Sequence, residues 1–183
     1  MNDIPEEQSY PVWANEKIEI VEANPNWLAI GEQEIEKLLS LLSKYGINDI
    51  QHYGSTSIPN LAAKPIIDLM AKTDTFQKTN TIASVLANYD WHFVPPHLDN
   101  RPWQRFFVKV IDGKRVAHLH IMLEGEERWD KQLLFRDLLL NSQQLVNQYT
   151  ILKKELSTKY KNDREEYTKA KTEFINYVLN SKL

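Results

Sequence analysis

Residues 52–70, HYGSTSIPNLAAKPIIDLM, gather side chains with chemistry to offer. Gly54 lets a backbone approach closely, and the hydroxyls of Ser55 and Thr56 with nearby N–H groups can cradle phosphate oxygens. The same GSTS segment also suits a tight turn that caps a short helix, with Thr56 or Ser57 as cap and Pro59 in the first turn. Lys64 is either a point charge for a phosphate or a surface lysine ahead of a strand. Asp68 lies inside an apolar run, where desolvating its charge is costly unless something compensates it.

Strand parity extends the set. In PIIDLMAK, Asp68 shares a face with Ile66 and Met70, opposite Ile67 and Leu69. In AHLHIML, His118, His120 and Met122 share a face; in WQRFFVKV, Arg105 and Lys109 do; and in IQHYGS, His52 aligns with Gly54. Four strands thus offer His52, Asp68, Arg105 with Lys109, and His118 with His120 to one surface. Two imidazoles on one side of a strand, joined by a carboxylate, suit Zn²⁺, Mn²⁺ or Fe²⁺. Alternating polar residues on a half-exposed sheet also need no function.

The elements that must position these groups follow from periodicity. Residues 1–16 read as a tail or surface strap. KIEIV reads as a short strand, and residues 27–42 repeat apolar side chains at helical spacing up to a stop at Gly46. Strands over INDIQHY and PIIDLMAK come next, then a helix within TFQKTNTIASVLANYDW and strands over WHFVPP, WQRFFVKV and AHLHIML. The DGK turn favours an antiparallel hairpin between the last two. From Arg128 onward the pattern is helical, with a break at KNDREEY and Asn162 or Asp163 as cap of the last helix. The plan is α+β: a mixed β-sheet with flanking helices (about 17–125) and a helical C-terminal half (about 126–183), forming one domain over 17–183.

Composition narrows the function. Of 183 residues, 42 % are apolar and 26 % charged, the balance of a folded soluble domain. The net charge of −3 argues against a broad nucleic-acid footprint. Cysteine is absent, so there is neither a disulfide framework nor a zinc ribbon. No apolar run is long enough for a membrane span, and the acidic start lacks signal-peptide character, so a cytoplasmic location is expected.

Taken together, HYGSTSIPNLAAKPIIDLM, RFF, HLHIM and FRDLLLNSQQLVNQYTILKKEL resemble the GrpB family, from about Ile18 to the end. The resemblance implies a nucleotidyltransferase-like fold with substrate and metal on the open face of the sheet. It implies that Gly54, Ser55, Thr56, Lys64, Arg105 and Arg136 bind a nucleotide or phosphate, and that Asp68 is catalytic. A divalent metal (Mg²⁺ or Mn²⁺, with Zn²⁺ as alternative) would be held by Asp68 with His52, His118 and His120. Tyr149, Lys153 and Lys171 match the family's helical half, which looks like a wall supplying cations. Nucleotidyltransferases carry two carboxylates at alternate positions of one strand; here the second position is Met70, which cannot ligate Mg²⁺. The expected function is therefore binding of a nucleotide or phosphorylated metabolite, with metal-dependent nucleotidyl or phosphoryl transfer. The alternatives are a non-catalytic phosphate-binding module and, behind both, a metal-dependent phosphoester hydrolase.

Overall fold

Period-two alternation in the first two-thirds of the chain produces one five-stranded sheet. The structure is a computed structural model that describes Trp13 and residues 17–181; apart from Trp13, the strap expected over 1–16 lies outside the described residues. The strands are β1 (Ile50–His52), β2 (Ile67–Thr73), β3 (Trp91–Val94), β4 (Gln104–Ile111) and β5 (Lys114–Leu123), in the order β1-β2-β5-β4-β3. Only β2 and β5 run parallel; the other pairs are antiparallel, so the sheet is mixed as expected. The β4–β5 hairpin closes through Asp112 and Gly113, both at positive φ (49° and 72°), with Ile111 opposite Lys114. Positive φ at both central residues is the tight-turn geometry that matches strand twist.

One face of the sheet carries the main core. Helix α1 (Asn26–Leu42) lays Trp27, Leu38 and Leu42 on it, and α2 (Thr79–Ala87) adds Ile82 and Leu86. They meet Ile50, Leu69, Ala71, Phe107, Leu119 and Ile121 from the strands. Gly46, at φ 94°, ends the turn after α1 at the predicted stop. The short α3 (Pro96–Asp99) leads into β4.

The other face looks toward the helical half: α4 (Glu127–Leu140), α5 (Gln143–Lys159), α6 (Arg164–Ala170) and α7 (Thr172–Asn180). These pack through Phe135, Leu139, Val146, Tyr149 and Val178, together with Ile58 and Leu61 from the loop after β1. Asp163 caps α6 by accepting from the Glu166 N–H at 3.0 Å. The helix expected after it is split at Lys171 into α6 and α7.

The KIEIV strand does not form. Val21 makes a single antiparallel bridge to Ala63, while the Ile18 N–H donates to the Lys161 carbonyl. Two unrelated partners hold this segment, so no continuous ladder can build.

Candidate functional site

The register of β2 against β5 sets Asp68 opposite His118 and Met70 opposite His120. The register of β4 against β5 sets Phe106 opposite His120 and Gln104 opposite Met122. All of these face the helical half, and all but the fully buried Met70 floor a cavity of about 770 Å³. The loop after β1 brings Gly54 and Ser55 to it, and Lys64 reaches it from just before β2.

Asp68, His118 and His120 are thus assembled as predicted. The His118 Nδ1–H donates to Asp68 Oδ1 at 2.9 Å. Burial, resisted by the carboxylate, keeps His118 below its usual pKa, so the ring is neutral near pH 7. Burial pushes Asp68 up, but the His118 hydrogen bond, with the nearby imidazoles and Lys64, outweighs it and holds the carboxyl well below its usual range. His120 Nδ1 lies 2.9 Å from Gln104 Oε1, and Gln104 Nε2 donates to Asp99 Oδ2 at 2.7 Å. Since the Gln104 oxygen can only accept, His120 donates through Nδ1. Burial, then the neighbouring His118, pushes His120 down to about 3. Ligand atoms of Asp68, His118 and His120 lie within 4.8 Å of one another, a group that could hold a metal ion.

Gly54 fits against the floor so tightly that a Cβ there would overlap the Cβ and Oδ2 of Asp68. Its backbone (φ −69°, ψ −175°) is open to any residue, so the constraint is contact and not conformation. Gly54→Ala is expected to cost about 1–3 kcal/mol through overpacking, read as a fall in thermal midpoint, and to displace the Asp68 carboxylate.

Five residues expected at the site or on its surface stand elsewhere. His52 pairs opposite Leu69 and so faces α1, where its ring fills the space above Gly31. Its Nε2–H donates at 2.9 Å to Thr56 Oγ1, which donates in turn to the Ile66 carbonyl. Thr56 is therefore saturated inside the fold and lies away from the cavity. Burial, offset in part by Asp68, pushes His52 down to about 4. Arg105, opposite Ile121, also takes the α1 side; its guanidinium lies 3.9 Å from the Phe76 ring and donates to the Pro102 and Gln104 carbonyls. Lys109 shares that face and meets Glu34 of α1 at 2.6 Å. Arg136 braces β1 by donating to the His52 carbonyl at 3.2 Å and pairs with Asp137. Register decides which parity of a strand faces the site: in β1 the odd residues share the side of Asp68, in β4 the even ones do, and parity within one strand cannot show that.

The helical half supplies cations. Lys153, Arg164 and Lys171 line the cavity with Lys64 and Arg115, while its lining carboxylates are Asp68 and Glu127. Glu127 is tied to Lys131 at 2.9 Å. Lys153 is 2 % exposed, and its Nζ has no hydrogen-bond partner among the described residues. It lies 4.7 Å from the Tyr149 ring centre, while Lys171 and Lys64 lie 4.6 and 5.6 Å from that of Tyr167. Burial, reinforced by Lys171 and Lys64, lowers Lys153 to about 6. Burial, reinforced by Arg164 and Lys171, lowers Lys64 to about 7. Burial lowers Lys171 to about 8, against the pull of Asp68.

These lysines set a pH trend. Unfolded, they titrate near 10.4, so between about pH 6 and 10 the unfolded chain binds more protons than the folded one. Their penalty is complete below pH 6 and lifts as pH rises. The ligand-free protein is expected to gain stability from these groups between pH 6 and 9, measured by urea midpoints across that range.

Comparison with known proteins places this architecture. The family model described as GrpB protein matches residues 17–181. The chain belongs to the GrpB family. It is 31 % identical over 167 residues to UPF0157 protein YqkA of Bacillus subtilis, covering 91 % of this chain and 47 % of that protein. The chain thus spans about half the length of this GrpB relative. It is 30 % identical to the glutamate-rich protein GrpB of Alkalihalophilus pseudofirmus, covering 88 % of this chain and 93 % of that one. The crystal structure of a GrpB protein from Enterococcus faecalis superposes with a TM-score of 0.78 at 27 % identity, over 89 % of this chain and 96 % of the other. The fold and family expected from the sequence hold.

Gln104, Asp99 and Arg115 escaped sequence reasoning. Gln104 carries no motif, and only the β4–β5 register shows that it stands beside His120.

Proposed function

We propose that the cavity binds a phosphorylated small molecule, nucleotides included. The observation that carries this reading is Lys153: a buried amine without an acceptor among the described residues, beside Lys64 and Lys171, in a cavity with few carboxylates. A buried cation is tolerated when an anion pairs with it. A phosphate accepts several charge-assisted hydrogen bonds at once, and the Gly54–Ser55 loop adds close backbone approach.

A panel of pyrophosphate, nucleoside mono- and triphosphates and sugar phosphates tests it by thermal shift. At one hundred times Kd a ligand adds about 2.7 kcal/mol, roughly 5–10 °C for a domain of this size. A panel in which no phosphate compound raises the midpoint would refute the reading. Affinity for the ligand that binds is expected to fall from pH 6 to 9, as the three lysines lose the protons that attract it.

Transfer of a nucleotidyl or phosphoryl group is the second reading. It is favoured by the contact of Gly54 with Asp68, which puts the anion loop and an ionised carboxylate at one spot. It requires the parent protein, given an acceptor, to release pyrophosphate (nucleotidyl transfer) or a nucleoside diphosphate (phosphoryl transfer) from a nucleoside triphosphate, and Asp68→Asn to release neither.

A further inference from the structure

The resemblance to nucleotidyltransferases implies paired Mg²⁺ ions on two strand carboxylates, and the residues present do not fit that group. The position two residues after Asp68 holds Met70, which is fully buried against Met122 and Trp129. Mg²⁺ requires oxygen ligands in octahedral array, and among the described residues Asp68 is the single carboxylate on the sheet floor of the cavity. What stands beside it is two imidazoles.

We propose instead that Asp68, His118 and His120 form a site for one transition ion of borderline softness, of the Zn²⁺ class. Two nitrogens and one oxygen suit such ions and leave coordination positions open toward the cavity. His120 already has the outer hydrogen bond that metal-binding histidines use: it donates Nδ1–H to Gln104, which Asp99 anchors in turn, and so keeps its Nε2 lone pair. Metal-bound imidazoles are oriented in this way by carboxylates and amide carbonyls. His118 Nδ1 and Asp68 Oδ1 lie 2.9 Å apart with one proton between them. An ion would take the place of that proton, so His118 would bind through Nδ1 and carry its proton on Nε2, a buried atom without a partner among the described residues. The present spread of 4.8 Å exceeds the roughly 3.3 Å between tetrahedral ligands with bonds near 2.0–2.1 Å. Side-chain rotation must therefore draw the three together around an ion. Gln104 and Asp99 are positioning residues for His120, since neither belongs to the cluster itself.

The test strips the full chain with a chelator and titrates it with Zn²⁺, Co²⁺ and Mg²⁺. The readouts are the thermal midpoint, bound metal per chain and the visible absorption of Co²⁺. One Zn²⁺ or Co²⁺ per chain is expected, with Mg²⁺ weaker by about a hundredfold or more, because imidazole discriminates against it. His118→Asn and His120→Asn should each abolish the Co²⁺ spectrum. Gln104→Leu should weaken Co²⁺ binding about 10- to 100-fold. Equal binding of Mg²⁺ and Zn²⁺ by the parent protein, two ions per chain, or unchanged Zn²⁺ binding in both histidine variants would overturn the proposal. The parent's own selectivity decides the matter even if a variant fails to fold. Pyrophosphate protection that survives such a result would leave the phosphate reading standing, so the two fail separately.

Discussion

Lys153→Met is expected to raise the thermal midpoint of the ligand-free protein and to weaken its response to phosphate compounds. The two effects have one cause. Lys153 is buried in the helical half, and its Nζ meets no acceptor among the described residues. A buried polar group without a hydrogen bond costs about 1–3 kcal/mol, and Lys64 and Lys171 add repulsion. Methionine has a similar length and a flexible apolar chain, so it fills the same space against Tyr149. Removing the amine should therefore stabilise the empty protein by about 1–3 kcal/mol, or roughly 2–10 °C. A hydrogen bond to a charged group contributes about 1.5–3 kcal/mol, so affinity for the phosphate ligand should fall about 10- to 100-fold. Calorimetry and ligand titration read the two effects separately. A variant less stable than the parent that still binds with parental affinity would show Lys153 to be a packing residue only.

Asp68→Asn is expected to act with the opposite sign on the empty protein. The structure gives the Asp68 carboxylate a stabilising part to play, because its negative charge faces Lys64 and Lys171 and it accepts the His118 hydrogen bond. An asparagine keeps the shape and loses the charge. Loss of a charge-assisted hydrogen bond removes about 1.5–3 kcal/mol, so the midpoint should drop by roughly 3–10 °C. The sign with pH follows from the depressed carboxyl: its stabilisation is complete above the unfolded value near 3.9 and is lost as pH falls below it. Parent and Asp68→Asn should therefore differ in midpoint at pH 7 and converge in strong acid. A constant difference down to the lowest pH at which both fold would assign the effect to shape instead of charge.

The fold was legible because its signals are local. The spacing of Trp27, Leu38 and Leu42, the glycine stop at Gly46 and the Asp112–Gly113 turn each act within one or two turns of chain. KIEIV shows the limit, since a strand exists only when a neighbouring edge accepts it, and Val21 found just one partner.

For the site, the amino-acid order by itself determined that Asp68 and Met70 share a side of one strand, and that His118 and His120 share a side of another, because alternation is a property of a single strand. It also placed a glycine and a serine beside them. Only the tertiary structure decided which sides coincide: register joins His118 to Asp68 and brings Gln104 to His120, while it turns His52, Arg105 and Lys109 toward α1. Pairing between strands and the docking of α5 to α7 are long-range, so the convergence of Lys64, Lys153 and Lys171 appears only when the chain is folded.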